Sequence, residues 1–174
     1  MPESPEPATL DSIDPLTAAV PAAELVAALK TAGQTVATAE SLTAGLLAAT
    51  IAGIPGASAV LRGGLIVYAT DLKQALAGVS ADTLAADGPV AATTAEQLAV
   101  GARTRCGADW GIGLTGVAGP EPQDGRPVGT VFLGVAGPDN TEVVRLNLSG
   151  ARWTIRVGAV RAAVTELTRS LRGG

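Results

Sequence analysis

The chain has 174 residues and a net charge of −4, with 47% hydrophobic residues, 16% charged residues and a mean hydropathy of +0.35. This composition is typical of one globular domain that is large enough to bury a core, and it excludes a disordered chain. Polar residues, glycines and prolines interrupt every apolar run before it could span a membrane, and an aromatic content of 2% is low for a nucleic-acid stacking surface. We therefore expect neither a membrane nor a nucleic acid as a partner.

The residue types that are missing limit the possible chemistry. The chain has no histidine, one cysteine (Cys106) and two lysines (Lys30 and Lys73). These counts exclude a Ser-His-Asp triad, a Cys-His pair and the usual zinc sites, so a hydrolase with a covalent nucleophile would need lysine, tyrosine or a carboxylate as its base. A lone cysteine fits a reducing compartment, and the N-terminus lacks the basic and apolar segments of a secretory signal. We expect a cytoplasmic protein.

The predicted elements follow an acidic, proline-containing segment over residues 1–15, which we interpret as a disordered tail ahead of a single domain over residues 16–174. Pro21 is expected to lie in the first turn of the first helix or to split it, and Gly33 to end it. The spacing of apolar residues and the turn signals predict helices over 16–31, 41–52, 71–77, 93–106 and 151–171, and strands over 35–39, 60–69, 110–115, 130–136 and 142–148.

The order of these elements indicates the fold class. Strands alternate with helices in one domain, except that a short Gly-Pro-Asp-Asn turn joins the last two strands directly. A short turn joins antiparallel strands, whereas a helical crossover joins parallel ones. We therefore predict an α/β fold, a three-layer α/β/α sandwich with a mixed, roughly five-stranded sheet.

One glycine motif resembles a dinucleotide-binding fingerprint. Gly111, Gly113 and Gly116 have the spacing of G-x-G-x-x-G and follow a predicted strand. A loop rich in glycine and proline follows them, where the fingerprint requires the start of a helix. We therefore reject a dinucleotide site here.

Two strand-to-helix junctions carry candidate catalytic residues. Ser41 follows the strand predicted over 35–39 and could cap the next helix. It could instead present its hydroxyl beside free backbone N–H groups that hold an oxyanion or a phosphate. Lys73 lies five residues after Tyr68 at the next junction, so both could meet Ser41 at one edge of the sheet. A solvated surface lysine is the alternative, although lysine, unlike arginine, has a pKa that burial can lower into the working range.

Candidate binding residues lie later in the chain. Thr115, Gly116 and the loop to Pro120 could bind a ligand through main-chain groups, or could form the tight exit of a central strand. Arg152 and Arg156 lie four residues apart near the start of the last helix. An anionic ligand would explain Arg152, and a solvated helix face would explain both arginines equally well.

An ordered series of motifs carries a family resemblance. The motifs are Ala39-Glu40-Ser41-Leu42-Thr43-Ala44-Gly45, Pro55-Gly56-Ala57-Ser58, the segment from Gly63-Gly64 to Lys73, Thr115-Gly116-Val117-Ala118-Gly119-Pro120, Pro127-Val128-Gly129-Thr130 and Gly150-Ala151-Arg152. From about residue 20 to residue 171, the series resembles the CinA C-terminal domain family, the nicotinamide-nucleotide amidases.

The resemblance implies an activity and a set of residues. It implies a stand-alone amidohydrolase of pyridine-nucleotide recycling, which converts nicotinamide mononucleotide and water to nicotinic acid mononucleotide and ammonia. It also implies that the enzyme needs no metal or cofactor and forms a homo-oligomer. It also implies roles for residues at the matching positions. These are Ser41 as nucleophile, Lys73 as its basic partner, Tyr68 as a group that relays or orients protons, and Thr43, Gly45, Thr115, Gly116 and Arg152 as substrate-binding residues.

The sequence departs from the family pattern and leaves alternatives open. Leu42 and Ala44 stand where the family segment usually has cysteine and glycine, and Ala151 replaces a common acidic residue. Either Arg152 or the N–H groups near Thr43 could hold the substrate phosphate. The same pocket could also bind a nucleotide without turnover, as a regulatory module, or hydrolyse a different amide or ester.

Overall fold

The computed structural model describes residues 14–173, which form a five-stranded sheet with helices on both faces. The helices are α1 (Pro15–Ala19), α2 (Ala22–Ala32), α3 (Leu46–Ala52), α4 (Thr70–Ala75), α5 (Ala81–Ala86), α6 (Ala92–Cys106) and α7 (Arg152–Arg172), with a single 3₁₀ turn at Ala57–Ala59. The strands are β1 (Val36–Glu40), β2 (Leu61–Ile66), β3 (Trp110–Gly116), β4 (Thr130–Ala136) and β5 (Thr141–Asn147).

The sheet is mixed, as predicted. Its strand order is β2-β1-β3-β4-β5, with β1 parallel to both β2 and β3, and with β4 antiparallel to β3 and β5. The carboxyl ends of the three parallel strands therefore lie at one edge of the sheet, where α/β proteins bind their ligands.

Two helical layers enclose the sheet. Helices α2, α3 and α7 cover one face through the largest hydrophobic cluster, which includes Leu29, Leu47, Ile112, Leu133 and Val164. Helix α6 covers the other face through a smaller cluster that includes the side chains of Ala37, Ala39 and Leu98. The three-layer sandwich is therefore confirmed.

The glycines of the rejected dinucleotide motif let α6 lie directly on the sheet. A Cβ atom on Gly111 would collide with the carbonyl oxygen of Ala99, and one on Gly113 would collide with that of Ala95. Both glycines thus serve helix-to-sheet packing, which explains a fingerprint spacing without a dinucleotide site.

The helix predicted over 41–52 is wrong at its start, because α3 begins only at Leu46. Residues 41–45 form a turn, and Gly45 precedes the helix in the left-handed region with φ of +91°. Ser41 therefore does not cap this helix. The side chain of Glu40 takes that role, as described below.

Pro21 splits the first helix, which is one of its two expected positions, so that α1 ends at Ala19 and α2 begins at Ala22. Two other elements differ from the prediction for local reasons. The predicted strand over 60–69 is shorter, because β2 ends at Ile66. Helix α5 was not predicted, although Ser80 caps it by accepting a hydrogen bond from the Thr83 N–H at 3.0 Å.

The predicted acidic tail lies largely outside the described residues. Of residues 1–15, the structure describes Asp14, whose side chain accepts a hydrogen bond from the Leu16 N–H, and Pro15, the first residue of α1. Across residues 14–173, none of the helices combines the length and apolar character that crossing a membrane would require.

Candidate active site

Ser41 and Lys73 meet at the carboxyl edge of the parallel strands. Ser41 follows the last residue of β1, and Lys73 lies in α4, which follows β2. Lys73 Nζ lies 3.0 Å from Ser41 Oγ and also donates hydrogen bonds to the carbonyl oxygens of Val67 at 2.9 Å and Tyr68 at 3.3 Å. The lysine is 2% exposed. The structure therefore brings the two expected partners together in a buried contact.

Burial changes the acid–base chemistry of Lys73. Desolvation of the ammonium group lowers the pKa of Lys73 to about 8. In the neutral amine, two N–H groups can donate hydrogen bonds to the Val67 and Tyr68 carbonyls. The nitrogen lone pair can then accept the hydroxyl proton of Ser41. This arrangement can generate an activated serine nucleophile without a histidine.

The buried side chain of Glu40 organises the turn after Ser41. One of its oxygens accepts hydrogen bonds from the N–H groups of Gly45 and Leu47 at 3.0 Å each, and the other accepts from the Ala48 N–H at 2.9 Å and the Thr38 hydroxyl at 3.0 Å. Sequence analysis assigned no role to Glu40. An acidic residue just before a helix start was the available signal, because carboxylates favour helix N-termini.

Within residues 14–173, Glu40 and main-chain carbonyls together leave two N–H groups of this turn without an acceptor. The N–H groups at the start of α3 are occupied, so they are not available to an oxyanion or a phosphate as the sequence had suggested. The N–H groups of Leu42 and Thr43 have no acceptor within residues 14–173. Thr43 also has a buried hydroxyl without a hydrogen-bond partner in the described part of the chain.

A cavity opens beside Ser41 and Lys73. Two cationic side chains, Lys73 and Arg152, and one carboxylate, Glu121, belong to its lining. The cavity is lined by Ser41, Leu42, Tyr68, Thr70, Lys73, Pro89, Val90, Thr115, Gly116, Val117, Ala118, Gly119, Glu121, Gln123 and Arg152.

Arg152 connects two walls of this cavity. It is the first residue of α7, and its guanidinium donates to the phenol oxygen of Tyr68 at 2.7 Å and to the Gly119 carbonyl oxygen. The Tyr68 phenol therefore contacts Arg152, while the main-chain carbonyl of the same tyrosine contacts Lys73. Arg152 is held in place at the mouth of the cavity, where it can bind an anion.

The remaining predicted binding residues divide into two groups. Thr115 and Gly116 line the cavity, and the Thr115 hydroxyl donates to the Pro89 carbonyl oxygen at 2.6 Å. Thr43 and Gly45 do not line it. The structure thus places three predicted binding residues (Thr115, Gly116 and Arg152) around the cavity and two outside it.

A comparison with known protein families identifies the family of this chain. A model of the CinA C-terminal domain family matches residues 19–171. The chain belongs to this family. The CinA match covers both junctions of the site and the start of α7, and it confirms the resemblance seen in the sequence motifs.

Individual relatives of this CinA domain agree in sequence and in fold. The chain is 48% identical over 139 residues to a CinA-like protein from Frankia casuarinae, covering 80% of this chain and 32% of the relative. A CinA superfamily structure from Klebsiella pneumoniae superposes with a TM-score of 0.87 at 29% identity, over 92% of this chain and 100% of the other. The competence/damage inducible protein CihA from Agrobacterium tumefaciens gives 0.85 at 33% identity, over 92% and 99%. The chain spans about a third of the length of the curated relatives it matches.

Proposed function

We propose that this CinA domain is an amidohydrolase that converts nicotinamide mononucleotide and water to nicotinic acid mononucleotide and ammonia. The contact between Ser41 Oγ and the buried, low-pKa amine of Lys73 carries the proposal. A serine with a neutral lysine beside it is the arrangement by which a chain without histidine can attack an amide. The choice of substrate rests on the resemblance to nicotinamide-nucleotide amidases.

The proposed reaction passes through an acyl-enzyme. Neutral Lys73 takes the hydroxyl proton of Ser41 as Oγ bonds to the carboxamide carbon, and the carbonyl electron pair moves onto oxygen. Lys73 then gives its proton to the departing nitrogen, which leaves as ammonia when the C–N bond breaks. Lys73 then takes a proton from a water molecule as the water oxygen bonds to the ester carbon, and it returns that proton to Ser41 Oγ as the ester C–O bond breaks. The acid product loses its own proton to solvent and leaves as the carboxylate.

Arg152 is the candidate for binding the substrate phosphate. It is the guanidinium in the cavity lining, and its contacts with Tyr68 and Gly119 fix its position. Guanidinium groups bind phosphate through charge-assisted hydrogen bonds. The N–H groups at the start of α3 are a poorer candidate because Glu40 already occupies them.

The proposal is tested by ammonia release from nicotinamide mononucleotide with EDTA present. We expect release by the wild-type protein and no release by Ser41→Ala, because the hydroxyl forms the covalent bond. Ser170→Ala at the far end of α7 is the matched control and should keep wild-type activity. Ammonia release by Ser41→Ala at the wild-type rate would refute the covalent mechanism.

Two further results separate the proposal from its alternatives. Nucleotide binding by the wild type without ammonia release would identify a regulatory binding module. Equally fast release from nicotinamide riboside, which lacks the phosphate, would indicate a broader amidase and would remove the proposed role of Arg152.

A further inference from the structure

Arg156 lies one helical turn after Arg152 on α7 and contacts the turn that follows the nucleophile. Its Nε donates to the carbonyl oxygen of Leu42 at 2.9 Å, and its Nη2 donates to that of Thr43 at 3.0 Å. The ring of Trp153 lies 5.8 Å from the guanidinium carbon and supports its orientation. Within residues 14–173 no carboxylate forms an ion pair with Arg156. Its polar contacts are therefore with the main chain beside Ser41.

Because the peptide bond is planar, a contact with a carbonyl group also fixes the N–H group of the next residue. In a trans peptide the C=O and N–H point in opposite directions, so holding the Leu42 carbonyl also fixes the direction of the Thr43 N–H. Leu42 and Thr43 are buried, at 4% and 0% exposure, and neither N–H has an acceptor in the described part of the chain. Buried N–H groups are normally paired. Two free donors directly after a nucleophile match the requirement of an oxyanion hole.

We infer that Arg156 is a positioning residue, which holds the Leu42 carbonyl and thereby orients the N–H group of Thr43 toward the oxyanion that forms when Ser41 attacks. The inference rests on the proposed function, because it requires a tetrahedral intermediate at Ser41. Arg156 itself does not line the cavity. It acts through the main chain, whereas Arg152 faces the ligand.

The geometry of the guanidinium makes this role specific for arginine. Its planar fork holds two carbonyl oxygens at once, whereas a lysine ammonium is a single point charge on a flexible stem. Donors aimed at a developing oxyanion act more strongly in the transition state than in the bound substrate. Loss of Arg156 should therefore reduce kcat and leave KM nearly unchanged.

The test compares Arg156→Lys and Arg156→Ala with the same substitutions at Arg161 in the full chain. Arg161 is a matched control, since it lies on the same helix and also donates through Nε and Nη2 to a main-chain carbonyl, that of Ala19. We expect both Arg156 variants to lose about tenfold or more in kcat for ammonia release, with KM within about twofold of wild type. Both Arg161 variants should retain the wild-type kcat.

A second readout distinguishes positioning from a loss of folding. Guanidinium chloride at low millimolar concentration should restore part of the kcat of Arg156→Ala and leave Arg161→Ala unchanged, because the free ion can occupy the vacated position. Wild-type kcat in both Arg156 variants would overturn the inference. It would also be overturned if kcat fell only in proportion to the unfolded fraction seen by circular dichroism, without rescue.

The acylation of Ser41 by p-nitrophenyl acetate separates this inference from the proposed substrate. A Ser41-dependent burst of p-nitrophenol without ammonia release from the nucleotide refutes the substrate, and a burst slowed about tenfold in Arg156→Lys still supports the positioning role. Ammonia release with an unchanged rate in the Arg156 variants refutes the positioning role alone. Absence of both reactions in the wild type overturns both proposals.

Discussion

The buried amine of Lys73 connects one side chain to the pH dependence of the whole reaction. Its pKa is lowered to about 8 by desolvation, and only the neutral form has a lone pair for the Ser41 proton. The neutral fraction grows as the pH rises through this value. We expect kcat/KM to increase with pH on a limb centred near 8, measured by ammonia release in buffers of constant ionic strength.

The chain offers a matched pair of lysine variants for this prediction. Lys73→Arg should be inactive throughout the pH range, because a guanidinium does not lose its proton under these conditions. Lys30→Arg, on the exposed side of α2, should keep the wild-type profile. A flat profile in the wild type, or activity in Lys73→Arg, would show that Lys73 is not the base.

At the scale of residues, the sequence predicted the contact between Ser41 and Lys73 better than the contacts that hold the neighbouring turn. The meeting of Ser41 and Lys73 could be expected because both follow parallel strands whose ends share one edge. Glu40 and Arg156 could not be assigned in the same way. Their partners are main-chain atoms in a turn that the sequence presented as a helix, and Arg156 lies more than a hundred residues from that turn.

At the scale of elements, helix α3 depends on one carboxylate. Glu40 accepts four hydrogen bonds from groups of the sheet, the turn and the helix, and its side chain is 1% exposed. A glutamine would turn one NH₂ group toward donors that need an acceptor. We expect Glu40→Gln to lower the free energy of unfolding by about 2 kcal/mol.

This prediction is measured by urea unfolding followed by far-UV circular dichroism. Glu96→Gln is the control, since Glu96 is exposed on α6 and its carboxylate forms no ion pair within residues 14–173. It should change the free energy of unfolding by less than about 0.5 kcal/mol. Equal stability of the two variants would show that α3 does not depend on the Glu40 carboxylate.

The ends of helices were predicted well where a local residue such as glycine sets them. They were predicted poorly where a side-chain contact sets them. Gly33 and Gly107 terminate α2 and α6 in the left-handed conformation, as their positions suggested. The start of α3 instead depends on the side chain of Glu40, which reaches forward to the N–H groups of Gly45, Leu47 and Ala48. Local propensity carries no information about such a contact.

At the scale of the whole molecule, the distance between the sheet and its helices depends on where glycines stand. Gly113 on β3 faces α6 without room for a methyl group, because the added Cβ would collide with the main chain of the helix. At Gly158 on α7 an added Cβ would lie 3.3 Å from a methyl group at the end of the Leu148 side chain, which can move aside by a few tenths of an ångström. The same substitution should therefore have opposite effects at these two positions.

We expect Gly113→Ala to lower the free energy of unfolding by about 2 kcal/mol or more through overpacking. Gly158→Ala should raise it by about 0.5–1 kcal/mol, because alanine loses less conformational entropy in a helix. Urea titrations of both variants beside the wild type provide the measurement. Changes of the same sign would contradict this account of the interlayer packing.

The architecture was predictable because the apolar periodicity and the turn signals indicated the same fold. Apolar periodicity located all five strands, and the short turn between β4 and β5 identified the sheet as mixed. The strand order was not predictable in this way. It depends on which strands pair across the sheet, and β3 reaches its place beside β1 only after the chain has passed through β2 and four α-helices.

The location of both active-site arginines on α7 has a consequence for biosynthesis. Ser41 and Lys73 leave the ribosome early, whereas Arg152 and Arg156 emerge only with the last helix. A nascent chain that has completed β5 carries the proposed nucleophile and its proposed base, but lacks the guanidinium groups that hold Tyr68, Gly119 and the turn after Ser41. Hydrolysis should therefore begin only after α7 has been synthesised, and a product terminated after Asn147 should be inactive.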